Sequence, residues 1–332
     1  MDVSILIVNW NARAYLRGCL QSIRDTLQGF SHEVIIVDNA SSDGSAAMVS
    51  REFPEVTLIS SEENLGFARG NNLAFSQSSG RYLLIINPDV ILLEGTVKGL
   101  VAFADEHPDA GVVSPKLLNP DRTFQGYYGR IPTVSTVFFT YTRMGSWIDS
   151  RLLGRQMRRR DRYEKYGDFK KTLCFTDGGA AFCCTLIPRT LVETIGFMDE
   201  RFPVFFNDGD FALRLFRAGY KAYVISNVQA CHYGGSSVKQ LDQLTYHKEW
   251  VYGLRAFYHK HRGYLYTTAI DAVLSLNLVH DLCVSTRDIL LLRKSPSEFL
   301  APVRTFKEVL AYQPPNLYRL PIAAHPERVH KK

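Results

Sequence analysis

The residues best suited to chemistry stand where short apolar runs stop. Asn9 follows Val3–Val8, Asp38 closes Val34–Val37, and Asn87-Pro88-Asp89 follows Tyr82–Ile86. In open α/β sheets, ligands bind beyond the carboxyl ends of the strands, so polar groups arriving together at one edge make a site. Singly, each is also what a turn after a strand prefers. A carboxylate fixed at Asp89 suits a hard divalent cation, Mg²⁺ or Mn²⁺, bridging two phosphates, because such sites take only one or two protein groups. His232, after Val228–Cys231 and before a Gly-Gly-Ser-Ser loop, is the candidate second metal ligand. Asn207-Asp208-Gly209-Asp210 precedes a helical pattern. There one carboxylate can cap the helix while the other serves as a general base. Asn64–Asn72 gathers two glycines, three amides and Arg69 at a helix start, where anions are favoured. Without a GxGxxG or GxxxxGK[ST] phosphate loop, a nucleotide must be held by side chains from several loops, and Asn9, Asp38, Asn64, Arg69, Asn87 and Asp89 are the candidates.

The elements that must position these groups follow from periodicity. Over residues 1–115, β-rich runs alternate with helical patterns, which is the signature of a parallel α/β sheet. Strands are predicted at Val3–Val8, Val34–Val37, Val56–Ile59, Tyr82–Ile86 and Gly111–Ser114. Helices are predicted from the Leu16, Cys19, Leu20, Ile23 and Leu27 spacing, over Gly66–Ser78 and over Thr96–Glu106. Lys116–Lys171 is less regular and reads as a long loop or small helical insertion over the site. α/β character returns from Phe175 to Tyr233, with an apolar run at Ala180–Ile187. A helix over Phe211–Ala218 is closed by Gly219, and a strand follows at Val224–Ile225. From about Leu241 onward the pattern is amphipathic helix, ending in a basic, Pro-rich tail.

Composition bounds the function. The chain has 332 residues, 46% of them hydrophobic and 22% charged, enough for a full core and unlike a disordered chain. A net charge of +6 does not by itself mark a nucleic-acid binder, and no nucleic acid is expected as a partner. Arg151, Arg155, Arg158, Arg159, Arg160 and Arg162 crowd one stretch. That stretch reads either as a solvated helix face or as a surface for anionic lipid or a pyrophosphate-bearing acceptor. The six cysteines have no CxxC spacing, which argues against zinc and for a reducing compartment. Val3–Val8 lacks a basic leader, and Leu274–Leu292 is interrupted by His280, Asp281, Arg287 and Asp288. A soluble cytoplasmic protein, or one peripheral on the inner face of the membrane, is therefore expected.

Val3–Asn11, Val37–Ser45, Asn64–Asn72, Leu83–Val90, Gly196–Phe202, Asn207–Arg214 and His232–Ser236 together resemble, in order, the inverting family 2 glycosyltransferases of A-type fold, particularly their rhamnosyltransferase-like members. The resemblance covers residues 3–240. It implies one α/β catalytic domain over 1–240, a Rossmann-like mostly parallel sheet flanked by helices. Its nucleotide-binding half would be 1–115 and its acceptor-binding half 116–240, with a helical C-terminal extension over 241–332. It also implies transfer from a nucleotide sugar, dTDP-rhamnose first and UDP sugars as the alternative, to a glycan or polyprenyl-linked glycan. By the resemblance Asp38 contacts the nucleotide base, Asp89 the metal and diphosphate, and His232 the same group. Asp208 is the base, and Gly178 and Gly179 border the sugar pocket. Asn87 stands where the family commonly has Asp, and Asn207 where it usually has Glu. Those two amides keep open a catalytically silent nucleotide-sugar-binding protein. The C-terminal helices are read either as a membrane-binding surface or as helices that pack on the catalytic domain or form a homodimer interface.

Overall fold

The computed structural model describes residues 1–27, 29–126, 128–153, 169–235, 240–291, 293 and 300–312. Its first part runs β1 (Val3–Asn9), α1 (Arg13–Thr26), β2 (His32–Asn39), α2 (Ser45–Glu52), β3 (Thr57–Ser61), α3 (Gly66–Ser76), β4 (Tyr82–Ile86), β5 (Val90–Leu92), α4 (Thr96–Glu106) and β6 (Ala110–Leu118). Then come β7 (Tyr128–Arg130), α5 (Val134–Tyr141), α6 (Arg143–Arg151), β8 (Leu173–Phe175), β9 (Gly178–Ala180), β10 (Cys184–Pro188), α7 (Arg189–Ile195), α8 (Asn207–Arg217) and β11 (Lys221–His232). Three helices finish the described chain, α9 (Gln243–Arg262), α10 (Tyr264–Leu290) and α11 (Ala301–Ala311).

The main sheet has the order β3-β2-β1-β4-β10-β6-β11-β5, with β8 paired to β11. β1 to β4 are parallel, as are β6 and β11, while β10 runs antiparallel between β4 and β6. The strands read as unbroken apolar runs because both faces are covered. Alternate side chains then enter separate cores. Ile5, Ile7, Ile36 and Leu84 join Leu16, Leu20, Met48 and Leu100 of α1, α2 and α4 on one face. Leu6, Ile35, Val37 and Ile85 meet Ala68, Leu191, Phe211 and Leu215 of α3, α7 and α8 on the other. A third core joins Phe202 and Val137 of α5 to Val251, Leu254 and Phe257 of α9, Ile270 of α10 and Val309 of α11.

The insertion after Lys116 supplies α5 and α6; α5 packs through Val137 on the C-terminal helices, while Gln125 of the same stretch bonds His232 at the sheet edge. The basic cluster lies, apart from Arg151, outside the described residues. Among the described residues one helical stretch, Tyr264–Asp288, is long and apolar enough to cross a membrane, and only 17% of its most apolar window is buried. Its polar residues are too sparse to disqualify it by composition alone. All six cysteines are unpaired.

Candidate active site

The carboxyl ends of β1, β2 and β4 open onto a cleft of about 440 Å³, lined among others by Trp10, Asn39, Asn64, Asn87, Asp89, Asp208 and His232. Parallel register sets Asn9 beside Asp38. The Asn9 amide donates to Asp38 Oδ1 at 2.8 Å, and Ser41 N–H donates to Asp38 Oδ2 at 3.1 Å. Asn9 and Asp38 are buried and each stands one residue before a lining residue, Trp10 and Asn39. Asn39 accepts from Leu65 N–H and donates to Gly66 O, which ties the Asn64–Gly66 turn to the end of β2.

β5 brings the metal candidates together. This three-residue strand leaves the Asn87-Pro88-Asp89 turn and pairs antiparallel with β11, so that His232 faces Val90, and Tyr233 N–H donates to Asp89 O at 3.0 Å. His232 Nε2 thereby lies 3.3 Å from Asp89 Oδ1, with both side chains 2% exposed. A carboxylate and an imidazole form a donor pair that suits Mg²⁺ or Mn²⁺, with room left for diphosphate oxygens. Among the described residues no group of three or more His, Cys, Asp or Glu is placed to hold a metal ion, so the residues fit a cation only as this two-ligand pair. Burial, with the Asp89 charge second, pushes the nearby Cys19 thiol up, which keeps it protonated and a poor ligand.

Asp208 enters the cleft from α8. That helix begins at Asn207, earlier than the apolar spacing from Phe211 indicates, and neither acid caps it. Phe206 occupies the cap position with φ +68° and makes no side-chain cap bond. Asp208 and Asp210 lie instead in the first turn, where negative charge is favoured. Burial raises the Asp208 carboxyl above its ordinary range, against a lowering hydrogen bond from Gly209 N–H at 2.8 Å. Asn207 is buried and braces the turn, donating to Val204 O and accepting from Asp208 N–H. Burial would raise Asp210 too, but a 2.7 Å hydrogen bond with His261 and the charges of Arg214 and Lys260 hold it below the ordinary range.

The glycosyl transferase family 2 profile matches residues 4–195, more than half of the chain. The chain belongs to glycosyl transferase family 2. One relative is the N-acetylglucosaminyl-diphospho-decaprenol L-rhamnosyltransferase of Mycobacterium tuberculosis, 22% identical over 220 residues that cover 61% of this chain and 67% of the relative. Among solved structures, TarS of S. aureus superposes with a TM-score of 0.50 at 15% identity, over 94% of this chain and 81% of that one. A mannosyltransferase from Pyrobaculum calidifontis in complex with GDP-Man and Mn²⁺ reaches 0.52 at 15% identity, over 93% and 87%. The fold is that of the A-type glycosyltransferases, and this enzyme is a glycosyltransferase that takes a nucleotide-sugar donor.

Not every candidate reaches this glycosyltransferase's cleft. Arg69 turns to Glu63 and Glu200, at 3.4 and 3.9 Å, and does not line it. Gly178 and Gly179 lie in β9, which pairs with β7 in a separate ribbon. Ala181 and Phe182, just beyond, line the cleft instead. Of the glycines in the Asn64–Asn72 segment, Gly66 lines the cleft and Gly70 does not, and both sit in close contact with neighbouring chain. A Cβ at Gly66 (φ +73°) would meet Pro203 O at 3.0 Å, and one at Gly70 would meet Val8 at 2.8 Å. Trp10 and Asn39, which line the cleft, had a usable signal: each follows a polar residue at a strand end. Tyr246 reaches the cleft from α9 and Gln125 bonds His232 from the β6–β7 connection, and neither has any local sequence signal.

Proposed function

We propose that this enzyme catalyses inverting transfer of a sugar, rhamnose from dTDP-rhamnose, onto a hydroxyl of a glycan or polyprenyl-linked glycan. The observation that carries the reading is one cleft holding both the Asp89–His232 pair and Asp208, a carboxylate whose pKa burial has raised. A base raised towards the working pH takes a proton with greater driving force. Asp208 accepts the acceptor hydroxyl proton as that oxygen bonds to the anomeric carbon. The bond to the diphosphate breaks in the same displacement, its electron pair leaving on the nucleoside diphosphate. One displacement through an oxocarbenium-like transition state inverts the configuration without an enzyme nucleophile. Asp89 and His232 would hold Mg²⁺ or Mn²⁺, which would neutralise charge on the departing diphosphate. Asn39 and Asn64 line the cleft where the nucleotide would sit, and Asp38, held by Asn9 beneath Asn39, is the proposed contact to its base.

The proposed division is a nucleotide-binding half over 1–115, an acceptor-binding half over 116–240 and a helical extension over 241–332. The donor follows the resemblance to rhamnosyltransferases. Titration calorimetry with dTDP and UDP, each with Mn²⁺ and then with EDTA, tests it. Tighter dTDP binding that weakens on chelation is expected. A clear preference for UDP overturns the donor, and binding and turnover indifferent to EDTA overturn the cation. For a polyprenyl-linked acceptor the enzyme must work at a membrane face. Tyr264 and Leu265, 73% and 82% exposed at the start of α10, are apolar groups available for that contact. Co-sedimentation with anionic vesicles checks this, and absence of binding at low salt counts against it.

A further inference from the structure

The connection between β6 and β7 carries a chain of hydrogen bonds that ends on His232. Thr123 Oγ1 donates to Asp121 Oδ1 at 2.5 Å, and Asn119 Nδ2 donates to Thr123 Oγ1 at 2.9 Å and to Phe124 O at 3.4 Å. These bonds turn the Asn119 oxygen towards Gln125, whose Nε2 donates to it at 2.8 Å and to His232 O at 3.0 Å. Gln125 Oε1 therefore faces His232 Nδ1, at 2.8 Å. Flipping the Gln125 amide would set its oxygen against two acceptor oxygens at once, so its orientation is fixed by partners that cannot donate. An oxygen facing Nδ1 requires the proton on Nδ1. In the neutral ring the lone pair is then on Nε2, on the side of Asp89.

We propose that Gln125 is a positioning residue that fixes His232 in the Nδ1–H tautomer, so that Nε2 offers its lone pair to a divalent cation shared with Asp89. The inference deepens the reading of Asp89 and His232 as cation ligands and rests on it for its functional meaning. The alternative tautomer would put a proton on Nε2, which would donate to Asp89 Oδ1 at the observed 3.3 Å and close the pair on itself. Partners on the far nitrogen of a metal-binding imidazole set its tautomer and basicity, and losing them typically weakens metal affinity about 10–100-fold. Gln125 is buried, so water does not readily replace it.

The test uses two independent readouts. In metal-free full-length protein labelled with ¹⁵N-histidine, the His232 ring signals, assigned as those lost in His232→Gln, should report the Nδ1–H tautomer. Gln125→Leu should shift them to Nε2–H. Asn119→Ala, at a half-buried position, frees the amide to turn and should give a mixture, which keeps the test usable if Gln125→Leu folds poorly. Mn²⁺ affinity, followed by electron paramagnetic resonance of the free ion, should fall about 10–100-fold in Gln125→Leu. dTDP affinity measured in EDTA should hold within twofold. An unchanged tautomer in both variants, or Mn²⁺ affinity within twofold of wild type in both, overturns the role of Gln125. Wild-type protein that binds no Mn²⁺ overturns the cation reading instead, and the tautomer measurement still judges Gln125.

Discussion

Gly253 lies on α9 where the helix presses on the turn leading into Asn207–Asp210, and replacing it with Ala tests how closely Asp208 is held. A Cβ there would sit 2.9 Å from Phe206 Cδ2 and 3.2 Å from Phe205 O. Carbon atoms pack best at about 3.5–4.0 Å, so the ring must retreat by roughly 0.6–1.1 Å. Its retreat is limited by tilted contacts with Trp250 and Phe257, centroids 5.9 and 5.7 Å away. The backbone is committed as well. Phe206 holds φ +68°, a conformation that costs a bulky residue about 1–3 kcal/mol and persists only where packing enforces it. Overpacking should cost about 1–3 kcal/mol. The exchange of Gly for Ala within a helix returns about 1 kcal/mol, leaving a net loss of roughly 0–2 kcal/mol. The effect on turnover should be larger. A displacement near 1 Å at a reacting group costs about 10²-fold, and Asp208 is two residues from Phe206. In an assay of nucleoside diphosphate release, Gly253→Ala should lose about two decades in kcat with donor KM within threefold. A variant that is more stable than wild type and turns over within threefold of it refutes the reasoning.

Asp208→Asn should lower kcat about 10²–10⁴-fold while leaving nucleotide affinity within twofold, and turnover within threefold of wild type refutes the base. Because burial raises the Asp208 pKa, the acid limb of kcat/KM in the wild type should lie above the usual aspartate value of about 3.9. Its ionised form is also the less stable in the folded protein, so the neutral Asn should leave thermal stability at pH 7 unchanged or higher. Lys260→Met removes one partner of the fully buried Asp210 and should cost about 1–3 kcal/mol in denaturant unfolding. The Asp210 pKa is depressed on folding, so its contribution is present above the unfolded value near 3.9 and lost as pH falls through the folded one. The difference between variant and wild type should therefore shrink below about pH 4, and a difference independent of pH counts against the charge argument.

The parts of the fold legible in the sequence are those whose two faces are both apolar or whose period is unbroken. Tyr82–Ile86 and Thr96–Glu106 begin and end where the pattern indicates. β11 was recognisable only at Val224–Ile225, because Ser226, Asn227 and Gln229 interrupt it and its pairing with β6 shifts register there. β5 is three residues long and has no periodicity to detect, yet it is the element that carries His232 to Asp89. α8 hid its start in Asn-Asp-Gly-Asp, a composition that reads as a turn, and in a left-handed Phe206 that propensity disfavours. For the site, strand ends yielded Asn87 and Asp89, with Asn9 and Asp38 beneath their neighbours. Arg69 illustrates the reverse failure, a guanidinium at a helix start that tertiary packing hands to two glutamates.

The helix bearing Asp208 is wedged between two cores, and this decides what the C-terminal helices do. Phe211 and Leu215 anchor it to the sheet. Its leading residue, Phe206, packs with Phe257 in the core built by α9 to α11. Asp210, on the same turn as Asp208, is held by Lys260 and His261 from the last turn of α9, and Lys260 also reaches Asp199 at 2.6 Å. Tyr246, from the first turns of α9, lines the cleft and stacks edge-on with Phe205 at 5.1 Å. One helix of the extension therefore grips the Phe205–Asp210 segment at three levels: an aromatic contact at its start, the close approach at Gly253, and a buried ionic cluster at its end. Sheet packing fixes only the later turns of α8, so the position of Asp208 relative to the strand-end groups depends on α9. The profile match to the family stops at residue 195, before α8 begins. Within this chain the carboxylate proposed as base is thus set by contacts outside the matched region.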